Sequence, residues 1–140
     1  QDPPKELLDL AARDPQIVVT GYVNDVRPFV WDASVYVVPL RVGGGTRLKV
    51  LDAMAMGKAM VSTSIGFEGL DVRPDEHLLV ADSPEQFAEK TVRLLQDPGR
   101  RLTLGRNARE LVEHRYSWRT IGGQLLDAYR LAMEKGRREQ

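Results

Sequence analysis

The chain has no cysteine among its 140 residues, which excludes disulfide bonds and thiolate metal sites and is consistent with a cytoplasmic protein. It also has no apolar run close to the ~20 residues that a membrane-spanning helix requires. The formal net charge is zero and aromatic residues make up 6%, so nothing indicates a nucleic-acid-binding surface. The two histidines, His77 and His114, lack neighbouring ligands at metal-binding spacing, and we predict no metal site.

What is present is the composition of an ordinary globular protein, with 42% hydrophobic and 29% charged residues. The length fits one domain. We predict a single domain over residues 1–140, made of a sheet-containing region over residues 1–82 and a set of helices over residues 83–140.

Short apolar runs rich in β-branched residues alternate with helical patterns in the first region. The runs that we predict as strands are Ile17–Thr20, Val35–Val38, Met60–Thr63 and His77–Val80. Helices are predicted over residues 3–13, with Asp2 as a possible cap, and over residues 24–33 and 48–56. Three further helices are predicted after Ser83, Asp97 and Ser117. The alternation favours right-handed βαβ units and an α/β, Rossmann-like fold whose mainly parallel sheet carries helices on both faces.

In such a sheet, ligands bind beyond the carboxyl ends of the strands. The loops predicted there are Gly21–Asn24, Leu40–Thr46 and Ser64–Glu68. The second loop contains three consecutive glycines, Gly43, Gly44 and Gly45, directly before a helix. Glycine lets the backbone approach an anion closely, and the first N–H groups of the helix have no partner of their own, so this loop predicts a phosphate site.

The glycine loop is neither a P-loop nor a dinucleotide fingerprint, since the next glycine that the latter requires falls on Leu48. A plain surface turn with Thr46 as helix N-cap is the alternative. Within the helix, Asp52 lies about 9 Å along the axis from Thr46, which is comparable to the distance from the terminal phosphate of a nucleotide to its ribose. A carboxylate at this position could therefore accept hydrogen bonds from both ribose hydroxyls. An ion pair between Lys49 and Asp52 is the alternative there, and the two readings are compatible.

These segments, together with Ala33–Pro39, Ala59–Thr63 and Gly66–Leu70, resemble the nucleotide-sugar-binding C-terminal domain of family 4 retaining glycosyltransferases of the GT-B fold. Many members of that family carry two glutamates with seven residues between them. Here Gly44 matches the first and Asp52 the second, as in a variant branch of the family. The side chain of Asp52 is one methylene shorter than glutamate.

The resemblance implies roles for particular residues. Gly21, Tyr22 and Val23 would line the nucleobase pocket, Gly43, Gly44, Gly45 and Thr46 would bind the diphosphate, and Asp52 would bind the ribose. Arg47 and Lys49 would add positive charge, although solvated side chains are an equal alternative for both, as is core packing for Val23. Glu68 would reach donor hydroxyls or form part of a plain turn, and we favour the turn. No cofactor is implied, because the nucleoside-diphosphate sugar is a substrate.

The resemblance also implies partners. The acceptor-binding N-terminal domain and the family's phosphate-binding Arg and Lys would precede Gln1, so we expect a sheet truncated at its N-terminal edge. We expect this piece alone to bind donor weakly and to be inactive in transferring sugar to an acceptor with retention. The alternatives are a non-catalytic module that binds a nucleotide or phosphosugar, and self-association through the exposed sheet edge.

The C-terminal region is basic, since residues 99–140 contain 10 Lys and Arg against 5 Asp and Glu. Such a region is compatible with peripheral association of the parent enzyme with an anionic inner-membrane surface, but a solvated helix face is the commoner explanation. We interpret Trp118 and Tyr129 as core residues that pack these helices onto the sheet.

Overall fold

The structure is a computed structural model that describes residues 3–138. Its elements, in chain order, are α1 (Lys5–Arg13), α2 (Arg27–Asp32), β1 (Tyr36–Val38), α3 (Leu48–Ala55), β2 (Met60–Ser62), a 3₁₀ turn (Ile65–Phe67), β3 (Leu79–Val80), α4 (Pro84–Gln96), α5 (Pro98–Arg115) and α6 (Trp118–Arg138). The Asp2 cap proposed for α1 lies outside the described residues.

The three strands form one parallel sheet in the order β1-β2-β3. Val37 pairs with Val61 and Val61 pairs with Leu79, so β2 has a neighbour on each side. The helix α3 connects β1 to β2, as a parallel pair requires. Three of the four predicted strands and the mainly parallel α/β arrangement are therefore confirmed, although each strand is shorter than predicted.

The predicted strand Ile17–Thr20 is wrong. These residues form no ladder with the described strands, and Val18 is 78% exposed. An apolar β-branched run becomes a strand only where a neighbouring strand satisfies its backbone N–H and C=O groups. The sheet begins instead at β1, which pairs only with β2 among the described residues.

The core lies on both faces of this sheet. Alternate residues of a strand point to opposite faces, and Met60 and Val61 accordingly belong to different apolar clusters. Met60 packs in a cluster with Val50 and Met54 of α3, whereas Val61 packs in a cluster with Leu94 of α4 and Leu104 of α5. The buried members of the first cluster are Val38, Val50, Ala53, Met54, Met60, Val72, Leu78 and Ala108. Those of the second cluster are Ala59, Val61, Ala81, Leu94 and Leu104. Helices on both faces are thus confirmed.

The C-terminal helices begin where the capping residues predict. The hydroxyl of Ser83 accepts a hydrogen bond from the Gln86 N–H at 3.2 Å, and the carboxylate of Asp97 accepts one from the Arg100 N–H at 2.8 Å. The hydroxyl of Ser117 accepts one from the Thr120 N–H at 3.2 Å. Each bond satisfies an N–H group that the first helical turn leaves open.

The helix α6 does not pack onto the sheet. Trp118 is 89% exposed and Tyr129 is 62% exposed, so their interpretation as core residues is wrong. The apolar residues of α6 recur at helical spacing, but no described element covers that face of the helix. No helix in residues 3–138, α6 included, is both long enough and apolar enough to cross a bilayer.

Candidate functional site

The glycine loop connects the end of β1 to the start of α3. Gly43 and Gly45 have φ angles of 148° and 89°, values that residues with a Cβ rarely adopt. The helix begins at Leu48 with Arg47 in the N-cap position, and no side chain caps it. The alternative of Thr46 as N-cap is therefore wrong, and the N–H groups of Leu48 and Lys49, the first two residues of α3, donate to no acceptor in the loop.

The open N–H groups extend along the whole loop. Within the described chain, no backbone N–H from residue 42 to residue 49 donates a hydrogen bond to a protein acceptor. Gly43, Gly44, Gly45 and Thr46 are exposed. A series of unpaired donors in an exposed loop at a helix N-terminus is suited to binding an anion.

Arg47 lies buried beneath this loop, with 7% of its surface exposed. Its Nη2 donates to the Gly43 carbonyl at 3.0 Å, and its Nη1 approaches the Gly44 carbonyl at 3.4 Å. Nη2 also lies 3.5 Å from Oε2 of Glu68, while Nε has no hydrogen-bond partner in the structure. A solvated side chain, the alternative for Arg47, is excluded by this burial.

The loop is also fixed at its first end. The Thr63 hydroxyl, just after β2, donates to the Leu40 carbonyl and accepts from the Gly66 N–H at 3.2 Å. A Cβ on Gly66 would lie 2.2 Å from the Ser62 Oγ, so the turn after β2 packs tightly against the strands. Sequence reasoning missed Thr63; a hydroxyl at a predicted strand end, three residues before a glycine, is the signal that was available.

Glu68 follows the 3₁₀ turn Ile65–Phe67 and is mostly exposed, and its carboxylate is directed toward Arg47. Glu68 therefore forms part of a turn and also makes an ion pair with Arg47 of the glycine loop. Two of the three predicted carboxyl-end loops meet at this point.

Asp52 and Lys49 are exposed residues of α3. They line a cavity of about 480 Å³ together with Tyr36 of β1 and Val30 of α2. They do not pair with each other among the described residues. Burial raises the pKa of Tyr36, and the negative charge of Asp52 raises it further. Asp52 is therefore a free carboxylate at the edge of a partly apolar cavity.

Among the described residues, the remaining predicted loop, Gly21–Asn24, makes no hydrogen bond to this site. Gly21 adopts a φ of 65°, as a turn requires, Tyr22 is 92% exposed and Val23 is half-buried. No hydrogen bond links residues 21–23 to the glycine loop in the described structure. The described residues also contain no group of three or more His, Asp or Glu placed to hold a metal ion.

A family model described as "Glycosyl transferases group 1" matches residues 1–97, which include the sheet and the glycine loop. The chain belongs to the group 1 glycosyltransferases. Among curated relatives, this glycosyltransferase chain is 32% identical over 139 residues to a D-inositol 3-phosphate glycosyltransferase of Saccharomonospora viridis, with 93% of the chain and 31% of the relative covered. It is 29% identical over 123 residues to an uncharacterized glycosyltransferase of Methanocaldococcus jannaschii, with 85% of the chain and 31% of the relative covered.

Solved structures agree with the glycosyltransferase assignment. A sucrose-phosphate synthase from Thermosynechococcus elongatus superposes with a TM-score of 0.78 at 25% identity, covering 94% of this chain and 34% of that one. The C-terminal domain of a group 1 glycosyl transferase from Francisella tularensis superposes with a TM-score of 0.69 at 24% identity, covering 81% of this chain and 60% of that one, and supports the fold. The fold is that of a GT-B C-terminal domain. The chain spans about a third of the length of the curated relatives it matches.

Proposed function

We propose that this chain is the donor-binding part of an enzyme that transfers a sugar from a nucleoside-diphosphate sugar to an acceptor, with retention of anomeric configuration. The observation that carries the proposal is the set of unpaired N–H groups along the glycine loop. They would bind the diphosphate in the ground state and stabilise the charge that grows on it as the glycosidic bond breaks. Family membership supports the reaction class.

Each of the remaining site residues has a place in this proposal. The carboxylate of Asp52, which no described cation pairs with, would accept the ribose hydroxyls, and the exposed Lys49 would add positive charge near the phosphates. Gly21, Tyr22 and Val23 would border the nucleobase, and the exposure of Gly21 and Tyr22 leaves room for it. The acceptor would be bound by an N-terminal domain in the whole protein, so we expect the chain alone to bind donor and transfer nothing.

The relatives suggest the chemistry of the donor without fixing it. One relative, a mannosyltransferase of Corynebacterium glutamicum that is 30% identical over 100 residues, is named as GDP-mannose-dependent. It is covered over 66% of this chain and 26% of its own length. Guanosine diphosphate is therefore the first probe, and uridine diphosphate is the comparison.

The test is a calorimetric titration of the chain with uridine diphosphate, guanosine diphosphate and their nucleosides. We expect one diphosphate to bind and its nucleoside to bind much more weakly, because the loop donors recognise phosphate. Asp52→Ala should weaken that diphosphate about tenfold, the loss expected for hydrogen bonds to a charged group. The 2′-deoxy diphosphate should be less sensitive to the substitution, since it lacks one of the hydroxyls.

The matched control is Asp9→Ala, which removes an exposed carboxylate from another helix, α1. It should leave every affinity unchanged. If diphosphate and nucleoside bound equally well, or if neither diphosphate bound at millimolar concentration, the assignment of the glycine loop as the donor site would be wrong. Tight binding without any transfer in the complete protein would instead favour a non-catalytic binding module.

A further inference from the structure

The buried guanidinium of Arg47 contacts the glycine loop on its carbonyl side. Its donors approach the carbonyls of Gly43 and Gly44. In a trans peptide group the C=O and the following N–H point in opposite directions, and the described chain contains no cis peptide bond. A Gly43 carbonyl that faces Arg47 therefore turns the Gly44 N–H outward, and a Gly44 carbonyl that faces Arg47 does the same for the Gly45 N–H.

Stability alone does not account for a charged residue at this position. Arg47 is 7% exposed, its acidic partner Glu68 lies 3.5 Å away and is itself mostly exposed, and Nε is left without an acceptor. Burying an incompletely paired cation costs free energy, and an apolar side chain of similar size is often as stabilising or more so. The distinctive result of the arrangement is the direction of the loop peptides.

We propose that Arg47 is a positioning residue that holds the N–H groups of Gly44 and Gly45 in their anion-binding orientation, and that Glu68 fixes the guanidinium for this task. The inference rests on the proposed function, because the orientation matters for activity only if the loop binds the diphosphate. Arg47 thus acts through the loop: its Nη groups contact the Gly43 and Gly44 carbonyls and the Glu68 carboxylate, and the phosphate contacts would come from the backbone.

The decisive variant is Arg47→Lys, which keeps the charge but loses the planar fork that reaches two carbonyls at once. The matched control is Arg119→Lys, the same change at an exposed arginine of α6, outside the glycine loop. Two quantities are measured in each variant: the backbone order parameters of Gly44 and Gly45 in the ligand-free chain, by ¹⁵N relaxation, and the Kd values of uridine diphosphate, guanosine diphosphate and their nucleosides.

For Arg47→Lys we expect lower order parameters at both glycines and about tenfold weaker binding of the diphosphate that the wild-type chain prefers, with nucleoside affinity unchanged. Arg119→Lys should alter neither quantity. Glu68→Gln, which changes an exposed side chain and should leave folding intact, is expected to weaken diphosphate binding by about threefold. It carries the test if Arg47→Lys does not fold.

The outcomes separate this inference from the proposed function. Unchanged order parameters in Arg47→Lys, or an unchanged diphosphate affinity despite lost order, would overturn the positioning role while leaving nucleotide binding in place. Equal losses for diphosphate and nucleoside would indicate general damage and would also overturn it. Reduced loop order in Arg47→Lys together with no diphosphate binding by the wild-type chain would refute the proposed function and, with it, any role of Arg47 in anion binding.

Discussion

The helices α5 and α6 follow each other directly in the sequence, yet they bury their apolar side chains to very different extents. Leu104 of α5 is fully buried and Leu94 of the adjacent α4 is 1% exposed, whereas Leu125 and Leu126 of α6 are 55% and 59% exposed. Both helices have recognisable caps. The comparison shows that capping and periodicity establish that a helix forms, while burial depends on whether another element covers its apolar face.

The first helix, α1, leaves its leucine side chains exposed, as α6 does. Leu7, Leu8 and Leu10 of α1 are each at least 42% exposed, and α1 has no buried residue. The central elements, from β1 to α5, therefore contain the packed core of the described chain. The glycine loop lies within this central part, where its supporting contacts come from Thr63, Arg47 and Glu68.

The largest difference between the two regions should appear when a leucine is shortened. Leu104→Ala removes a fully buried side chain between α5 and the sheet and should lower the free energy of unfolding by about 3 kcal/mol. Leu125→Ala makes the same change on α6 and should lower it by no more than about 0.5 kcal/mol. Urea unfolding monitored by circular dichroism measures both. Similar losses would mean that the apolar face of α6 is covered in solution, for example by a second copy of the chain.

A glycine from each helix sharpens the comparison. A Cβ on Gly105 of α5 would lie 2.1 Å from the backbone carbonyl oxygen of Gly57, so the two segments touch without room for a side chain. Gly105→Ala should therefore cost about 2 kcal/mol of stability despite the better helix propensity of alanine. On α6, a Cβ at Gly122 meets nothing within 4 Å. Gly122→Ala should raise stability by up to about 1 kcal/mol. A stable Gly105→Ala variant would show that α5 shifts easily from α3 and the sheet.

These contrasts explain what the sequence could predict about the fold. The strands at β1, β2 and β3 were predictable because each lies in a short apolar run followed by a turn signal. The run Ile17–Thr20 has the same local character, and it failed because strand formation depends on a neighbouring strand that local sequence does not reveal. The interpretation of Trp118 and Tyr129 as core residues was wrong for the same reason. Their spacing defines an apolar face, but the local sequence does not determine which element covers that face.

The candidate site likewise has features that the sequence could predict and features that it could not. The glycine loop and its place between β1 and α3 follow from the glycine spacing and from the strand and helix patterns on either side. The burial of Arg47 was not predictable, since arginine is mostly exposed and its partners are carbonyls of the loop and a carboxylate 21 residues further on. Long-range contacts of this kind depend on how the β1 and β2 ends are placed side by side.

The smallest expected effect concerns the two histidines, one in the packed region and one on its surface. His77 is 4% exposed and its Nδ1 accepts a hydrogen bond from the Arg73 N–H at 2.9 Å, which requires the neutral ring. Burial lowers the pKa of His77 below its ordinary value of 6.5. The negative charges of Glu76 and, more weakly, Asp71 raise this pKa, while the positive charge of Arg73 lowers it by a smaller amount than burial does. The unfolded chain then binds the proton more readily than the folded chain. The stability from neutral His77 is thus fully present above pH 6.5 and is lost progressively as the pH falls below it.

Urea unfolding at pH 7.5 and 5.5 measures this effect in a range where most carboxylates stay ionised. His77→Asn places an amide oxygen near the position of Nδ1 and cannot titrate, so its stability should change less between the two pH values than that of the wild-type chain. His114→Asn, at an exposed position in the last turn of α5, should keep the pH dependence of the wild type. If His114→Asn, and not His77→Asn, removed that dependence, the pH-sensitive contact would belong to the exposed end of α5, and the turn that packs His77 against the core would have no part in it.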